Sequence, residues 1–272
     1  MTIQAPAKVN LVLRILAKRP DGFHDIETLM VPVSLADEIE IHISNGEGID
    51  LKCDQAEISS GPENLVWRAV EAFRDFTGLH FHTRINLRKN IPHGAGLGGG
   101  SSDAAAVLKA LDQLHNTRLG VVGLESLASS LGSDTPFFIR PCPKLCRGRG
   151  ELMMDADEIP PAKLLLLKPP FPVSTGWAYQ TWKPHQTAND RRQFHGKIGL
   201  VNDFEQTVFQ KFLLLPTIKS WLLEQEEVVS AMMSGSGSTL FAILHGDAGS
   251  LAKRAEARFG PNLWTAETTL CC

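Results

Sequence analysis

Between residues 90 and 111 the chain reads NIPHGAGLGGGSSDAAAVLKAL, and this stretch limits the possible folds more than any other. Five glycines fall within seven residues, Gly94, Gly96, Gly98, Gly99 and Gly100, followed by Ser101, Ser102 and Asp103 and then by alanines and leucines. Ordering glycine costs more backbone entropy than ordering any other residue. Such a loop is therefore kept where the backbone must bend sharply or approach a ligand closely. From Asp103 onward, DAAAVLKALDQL reads as a helix. Before the loop, Phe81, Thr83, Ile85 and Leu87 alternate with His82, Arg84, Asn86 and Arg88, which predicts an antiparallel strand with one solvated face.

Two phosphate-binding readings compete for this loop. Gly94-Ala95-Gly96-Leu97-Gly98-Gly99 satisfies the dinucleotide pattern G-x-G-x-x-G. That pattern needs a doubly buried strand directly before the first glycine and an acidic residue about twenty positions on to hold a ribose. Here the strand is polar on every second residue, Lys89 to His93 intervene, and the acidic residue in reach, Asp112, falls inside the helix. A triphosphate cradle asks for less: small residues that let backbone N–H groups approach an anion, and a helix whose N-terminal amides favour negative charge. Gly98 to Asp103 supplies both, Ser101 and Ser102 offer hydroxyls for capping, phosphate or Mg²⁺, and Lys89 lies close by. The P-loop pattern is absent, because no lysine follows the last glycine.

The remaining chain reads as a mixture of helices and largely antiparallel strands. Strands are expected over residues 5–16, 28–35 and 38–43, with the turn Arg19-Pro20-Asp21-Gly22 between the first two. Asn64 opens a helix that Gly78 stops, and another helix covers residues 124–131. Phe137-Phe138-Ile139, after Pro136, suggests a short buried strand. Proline and charge become dense between Pro141 and Pro161, and the domain boundary is placed there, giving domains 1–155 and 156–272. The second half opens with the apolar strand KLLLLK at 163–168, followed by a helix over 175–182 and a polar, aperiodic surface loop from Pro184 to Lys197. Helices over 203–212 and 217–225, the turn SGSGS, the strand TLFAIL and a last helix complete it.

With 43% hydrophobic and 21% charged residues, the chain is long enough at 272 residues to bury a substantial core. A net charge of -3 argues against a general nucleic-acid or membrane-surface binder, since such proteins neutralise phosphates with a basic excess. Any anionic ligand must be held by a local site. Five cysteines without framework spacing read as reduced thiols, and Cys142 and Cys146 lack the second ligand pair of a zinc site. The N-terminus lacks a signal-peptide layout, and no apolar run is long enough to span a bilayer, so a cytoplasmic protein is expected.

PHGAGLGGGSSDAA resembles the second signature of the GHMP kinases, and two further stretches in the expected order strengthen the resemblance. PAKVNLVLRILAKRPDGFHDIETLM is similar to the opening of a family member that acts on a cytidine diphosphate polyol, and MSGSGSTLFAIL is similar to the third, glycine-rich signature. LGSDTPFFI, GRGE and VNDFE fit the same member. The resemblance implies an α+β fold of two domains, an N-terminal one of the ribosomal-protein-S5-like type and a C-terminal ferredoxin-like one, with the active site between them. It also implies ATP-dependent phosphorylation of a hydroxyl of that small molecule, with neither a nucleic acid nor a membrane as partner, by a monomer or weak homodimer.

Residue by residue, the resemblance makes Asp134 the base that takes the hydroxyl proton and Lys8 its charge partner. A lysine inside an apolar strand is expensive unless paired, and an ammonium beside Asp134 would keep that carboxylate ionised. Asn10 shares the strand face of Lys8 and is expected at the polyol or beside Asp134. ATP is expected on Pro92, Gly94, Ala95, Gly96, Leu97, Gly98, Gly99, Gly100, Ser101 and Ser102, with its base near Asn64, Leu65 and Lys89. Mg²⁺ is expected with ATP, and Ser102 is a candidate ligand. Phe23 and His24 should hold the cytosine by stacking and by one donor and one acceptor. Tyr179 would form a second aromatic wall, Thr175 would approach the diphosphate, and Gly235 and Ser236 would reach the substrate from the third signature. Phe23 and Gln180 depart from the tyrosine and lysine common in relatives. Another GHMP kinase, of homoserine or mevalonate type, or a nucleotide-binding sensor without catalysis, would keep the glycine loop but gives no reason for RPDGFH or for Lys8 with Asp134.

Overall fold

The protein is described by a computed structural model over residues 1–184 and 193–271. Its chain begins with two long strands, β1 (Thr2–Lys18) and β2 (His24–Ser44), joined by the RPDG turn. The two extended segments expected at 28–35 and 38–43 are thus one strand. The chain divides into two units: Met1–Ala7, Ala36–His93 and Gly98–Cys142 form the first, and Lys8–Leu35, Gly94–Leu97 and Pro143–Cys272 the second.

In the first unit, β3 (Gly48–Cys53), α1 (Leu65–Thr77) and β4 (His82–Arg88) form a crossover that leaves β3 and β4 parallel. β4 also pairs antiparallel with the end of β2, from Glu38↔Arg88 to Ser44↔His82. Its alternation follows the sequence: Thr83, Ile85 and Leu87 are buried, whereas Arg84 and Arg88 are exposed. Helix α1 starts where Asn64 Oδ1 accepts from the Val66 N–H at 2.9 Å and ends at Gly78 in the left-handed region. Val66, Ala69, Val70 and Phe73 on its inner face pack with Ala104, Ala105, Val107, Leu108 and Leu111 of α2 (Gly99–His115) in this unit's core. α3 (Gly120–Ser129) follows. Residues 136–138 form a 3₁₀ turn rather than the expected strand, because Pro136 supplies the φ of a helix start and the phenylalanines are buried as a cluster, not as an alternating face.

In the second unit, β5 (Lys144–Gly148) pairs antiparallel with the start of β2 and with β6 (Leu152–Asp155). A separate four-stranded antiparallel sheet is built from β7 (Lys163–Lys168), β10 (Val228–Met233), β11 (Leu240–Leu244) and β12 (Trp264–Thr269) in the order β10-β11-β7-β12. Between β7 and β10 come α4 (Thr175–Thr181), β8 (Gln193–His195), β9 (Ile198–Asn202), α5 (Phe204–Lys211) and α6 (Leu214–Leu223), and α7 (Leu251–Phe259) joins β11 to β12. Strand, helix, strand, strand, helix, strand with the second strand at one edge and the fourth at the other is the ferredoxin-like arrangement that was expected. Leu165, Leu167, Ile218, Leu222, Ala242 and Ala255 are among the residues of its core, all fully buried.

Two elements of this unit differ from the sequence expectation. The polar stretch 184–197 contains residues 185–192, which lie outside the described residues, but Gln193–His195 is a strand paired antiparallel with β9. Backbone bonds pair it with β9, and Gln193 Oε1 accepts from the Ala231 N–H of β10 at 2.7 Å, so no apolar alternation marks it. Residues 264–269, for which the sequence reading gives no strand, are the edge strand β12, which pairs with β7 over six residues from Trp264↔Lys168 to Thr269↔Lys163.

Candidate active site

Helix α2 begins at Gly99, four residues before the expected Asp103, so Ser101 and Ser102 lie inside its first turn and cap nothing. The capping position falls to Gly98, at φ 75°, which has no side chain to accept from the first amides. Helix starts leave N–H groups without intrahelical partners, and here they remain available to an anion. Nearby, the buried Ser102 Oγ, Thr135 Oγ1 and Asp103 Oδ1 have no hydrogen-bond partner among the described residues. A buried hydroxyl or carboxylate oxygen left unsatisfied costs about 1–3 kcal/mol. Those three atoms therefore fit a site that a phosphate or a cation completes.

Beneath this helix start lies an ion cluster that the sequence does not announce. Lys89 Nζ donates to Asp37 Oδ2 and, at 2.6 Å, to Asp103 Oδ2, and the three side chains are at most 4% exposed. Asp37 Oδ1 also accepts from the N–H groups of Asn90 and Ile91, at 2.7 and 2.8 Å. The cluster thus pins the segment entering the glycine loop to the helix leaving it. Burial pushes the Asp103 carboxyl up to about 7, with Lys89 opposing and Asp37 adding to the shift. Burial also works against charge on Lys89, but Asp103 and Asp37 outweigh it and raise its pKa. Lys89, expected near the nucleotide, has its charge matched within the cluster. Leu65, the first residue of α1, lies beside the loop, since a Cβ on Gly100 would be 3.7 Å from its Cδ1. Asn64 caps that helix and donates from Nδ2 to the Ser59 carbonyl at 2.7 Å.

Asp134 sits half-buried in the turn between α3 and the 3₁₀ segment. The turn is closed by the Thr135 N–H, which donates to the Gly132 carbonyl at 3.2 Å. A Cβ on Gly132 would be 4.0 Å from Ser101 Oγ, so the turn carrying Asp134 lies against the first turn of α2.

The second unit holds the first half of the glycine loop. Leu97 O accepts from the Lys8 N–H at 3.0 Å, Ala95 O from the Thr239 N–H at 3.2 Å, and Gly96 O from Ser234 Oγ at 3.1 Å. Gly96 has φ +75°, and a Cβ there would clash with the Ser234 carbonyl and lie 3.0 Å from Gly237 O. Only glycine fits that approach. Gly235 stands at the same contact, where a Cβ would be 3.1 Å from Gly96 O and 3.5 Å from Asn10 Oδ1. Lys8 and Asn10, each 3% exposed, are bonded side chain to side chain at 2.6 Å, and Asn10 Nδ2 donates to Thr28 Oγ1 at 2.8 Å. Asn10 thereby presents a fixed amide oxygen to the Lys8 ammonium.

Farther along the same unit, aromatic side chains gather. His24 is stacked on Tyr179, with ring centroids 5.3 Å apart and planes 20° apart, and meets Trp182 edge-on at 5.8 Å. Phe204 supports Tyr179 from below at 4.7 Å. Phe23 is half exposed, and the Arg149 guanidinium lies 3.8 Å from its ring centre. The turns that carry Phe23 and Arg149 are neighbours because β2 and β5 pair from Ile26↔Gly148. Burial, with Lys18 adding to it, lowers the His24 pKa, so its ring is neutral at pH 7 and keeps one donor and one acceptor. Thr175 Oγ1 and Ser236 Oγ share a hydrogen bond at 2.8 Å, which joins the α4 start to the SGSGS turn. Trp182 and Arg149 are additions to the site residues expected from the sequence: Trp182 follows Tyr179 by three residues, and Arg149 sits in the GRG turn.

Patterns of known families agree with this geometry. The GHMP kinases N terminal domain matches residues 64–140 and the GHMP kinases C terminal domain matches residues 188–262. The chain belongs to the GHMP kinases. Within the family it is 42% identical over 270 residues to the 4-diphosphocytidyl-2-C-methyl-D-erythritol kinase of Methylacidiphilum infernorum, covering 96% of this chain and 93% of that one. A crystal structure of 4-(cytidine 5'-diphospho)-2C-methyl-D-erythritol kinase superposes with a TM-score of 0.84 at 32% identity, covering 100% of both chains. Homoserine kinase from Cytophaga hutchinsonii has the same fold, with a TM-score of 0.71 at 17% identity over 99% of this chain and 94% of that one. No described helix is long and apolar enough to cross a membrane.

Two stability measurements check the geometry. Gly96→Ala should cost about 1–3 kcal/mol in urea denaturation, because the clash is with backbone that has no rotamer to yield. Asp103 holds a proton in the folded state between its ordinary 3.8 and about 7 that the unfolded chain has lost. Its contribution is therefore full at low pH and disappears as pH rises through about 7. Asp103→Asn should flatten the fall in stability measured between about pH 4 and pH 7.

Proposed function

We propose that this chain is an ATP-dependent kinase that phosphorylates the 2-hydroxyl of 4-diphosphocytidyl-2-C-methyl-D-erythritol, a step of the non-mevalonate route to isoprenoid precursors. The observation that carries the reading is the Asp134 turn lying against Ser101 at an uncapped helix start lined by unsatisfied buried oxygens. The names and full-length similarity of the relatives choose the substrate. RPDGFH agrees with them, since it ends on the aromatic and the neutral histidine that a cytosine requires.

ATP is the phosphoryl donor, and as its Mg²⁺ complex it brings charge neutralisation to the transferring group. The loop from Pro92 through Gly94 to Ser102 receives the triphosphate on backbone amides, Asn64 and Leu65 border the base, and Lys89 holds the loop's floor in place. Ser102 Oγ is the proposed protein ligand of Mg²⁺. Phe23, His24 and Tyr179 take the cytosine, and Thr175, Ser236 and Gly235 take the diphosphate side. Asp134 accepts the proton of the attacking hydroxyl as its oxygen bonds to the γ-phosphorus and ADP departs. Lys8, fixed by Asn10, offsets the negative charge that develops on that oxygen. Transfer is direct, with no phosphorylated side chain. The enzyme is read as cytoplasmic, and as a monomer or weak homodimer.

A coupled assay for ADP with a panel of acceptors tests this reading. Turnover is expected with the cytidine diphosphate polyol and not with homoserine or mevalonate; the reverse pattern would refute the assignment. Asp134→Asn should lower kcat by about 10²–10⁴-fold while leaving the KM for ATP little changed. Protonation of His24 removes its acceptor, and its pKa lies below the ordinary 6.5. The KM for the cytidine substrate should thus stay flat down to about pH 6.5 and rise only below that, as steady-state kinetics in a pH series would show.

A further inference from the structure

Asn202 ends β9, is 6% exposed, and belongs to the VNDFE stretch. Its amide makes three hydrogen bonds. Nδ2 donates to the carbonyls of Met233 and Gly235 at 2.6 and 2.8 Å, and Oδ1 accepts from the Phe204 N–H at 2.9 Å at the start of α5. Glu205 Oε1, a little farther on, accepts from the Met233 N–H at 2.8 Å. Met233 is thus held at both its donor and its acceptor by one short segment. The register Leu13↔Asn202 ties that segment in turn to β1, the strand that carries Lys8 and Asn10.

The carbonyls that Asn202 holds flank the start of the SGSGS turn, which is the surface Gly96 rests on. A Cβ on Gly235 would stand 3.1 Å from Gly96 O and 3.5 Å from Asn10 Oδ1, the atom that receives the Lys8 ammonium, so the backbone here leaves no room for a side chain. We infer that Asn202 is a positioning residue for phosphoryl transfer: by gripping Met233 and Gly235 it sets the turn against Gly96 and beside the Lys8–Asn10 pair. The inference rests on the kinase reading above. Loss of the two donors leaves two buried carbonyls unpaired at this point, and the turn then shifts to find other partners. A displacement of about 1 Å in groups that orient a reaction can cost about 10²-fold in rate.

Asn202→Asp separates this role from a purely structural one. Aspartate keeps the size of the side chain and the acceptor for the Phe204 N–H, so the start of α5 is preserved or strengthened. What it removes is both donors. With the wild type turning over the cytidine substrate and ATP, the variant should lose about 10- to 100-fold in kcat, and the loss should persist at temperatures far below its own, lowered thermal midpoint, where it is fully folded. Asn202→Ser, neutral and with an oxygen for the Phe204 N–H, should show the same loss and serves if a buried carboxylate prevents folding of the first variant. Wild-type kcat in either folded variant would overturn the inference and leave Asn202 as an acceptor for the Phe204 N–H alone. A wild-type protein with no turnover of the cytidine substrate would instead overturn the kinase reading, and the inference with it.

Discussion

Gly96 has no space for a side chain, because the carbonyls of Ser234 and Gly237 already occupy the place where one would stand. This contact between a loop near residue 95 and a turn near residue 235 sets the backbone path of the loop's first half. Ala95, Gly96 and Leu97 each direct a carbonyl to a donor within the second unit, which fixes the loop's orientation as far as Leu97. From there the chain turns into the helix start whose amides remain uncapped. The glycines are thus needed for two different reasons: some permit close packing of backbone on backbone, and others leave amides open to an anion.

Charge is arranged around this loop in a way that the net value of -3 conceals. Lys89 is matched by Asp37 and Asp103, and the cluster holds the loop's two ends together. Lys8 is another buried ammonium at the loop, and the Asn10 amide oxygen fixes its direction.

Much of this is legible in the sequence where the signal is local. The alternation of β4, the Asn64 cap and Gly78 stop of α1, and the apolar strands β7 and β11 follow from spacing alone. The start of α2 lies earlier than its sequence suggests because glycine has poor helix propensity, yet Gly99 and Gly100 are helical where a side chain on Gly99 would crowd Ile91 and Lys89. The stretch Phe137-Phe138-Ile139 is apolar through burial and carries no period, so sequence alone does not separate it from a strand. Asp37, Asn202 and Arg149 are invisible as site residues for a common reason. Their partners lie 52, 31 and more than a hundred residues away in sequence, and only the folded chain brings them together.

If the glycine loop and Asp134 act together as described, a phosphoryl group passes to a tertiary-carbon hydroxyl of a cytidine diphosphate polyol, and the diphosphate stays intact. Phosphorus NMR of the reaction mixture reads both consequences at once. One new phosphomonoester resonance should grow in step with ADP while the two diphosphate resonances of the substrate persist. ADP formation without that resonance, or loss of the substrate's diphosphate signals, would contradict transfer to that hydroxyl.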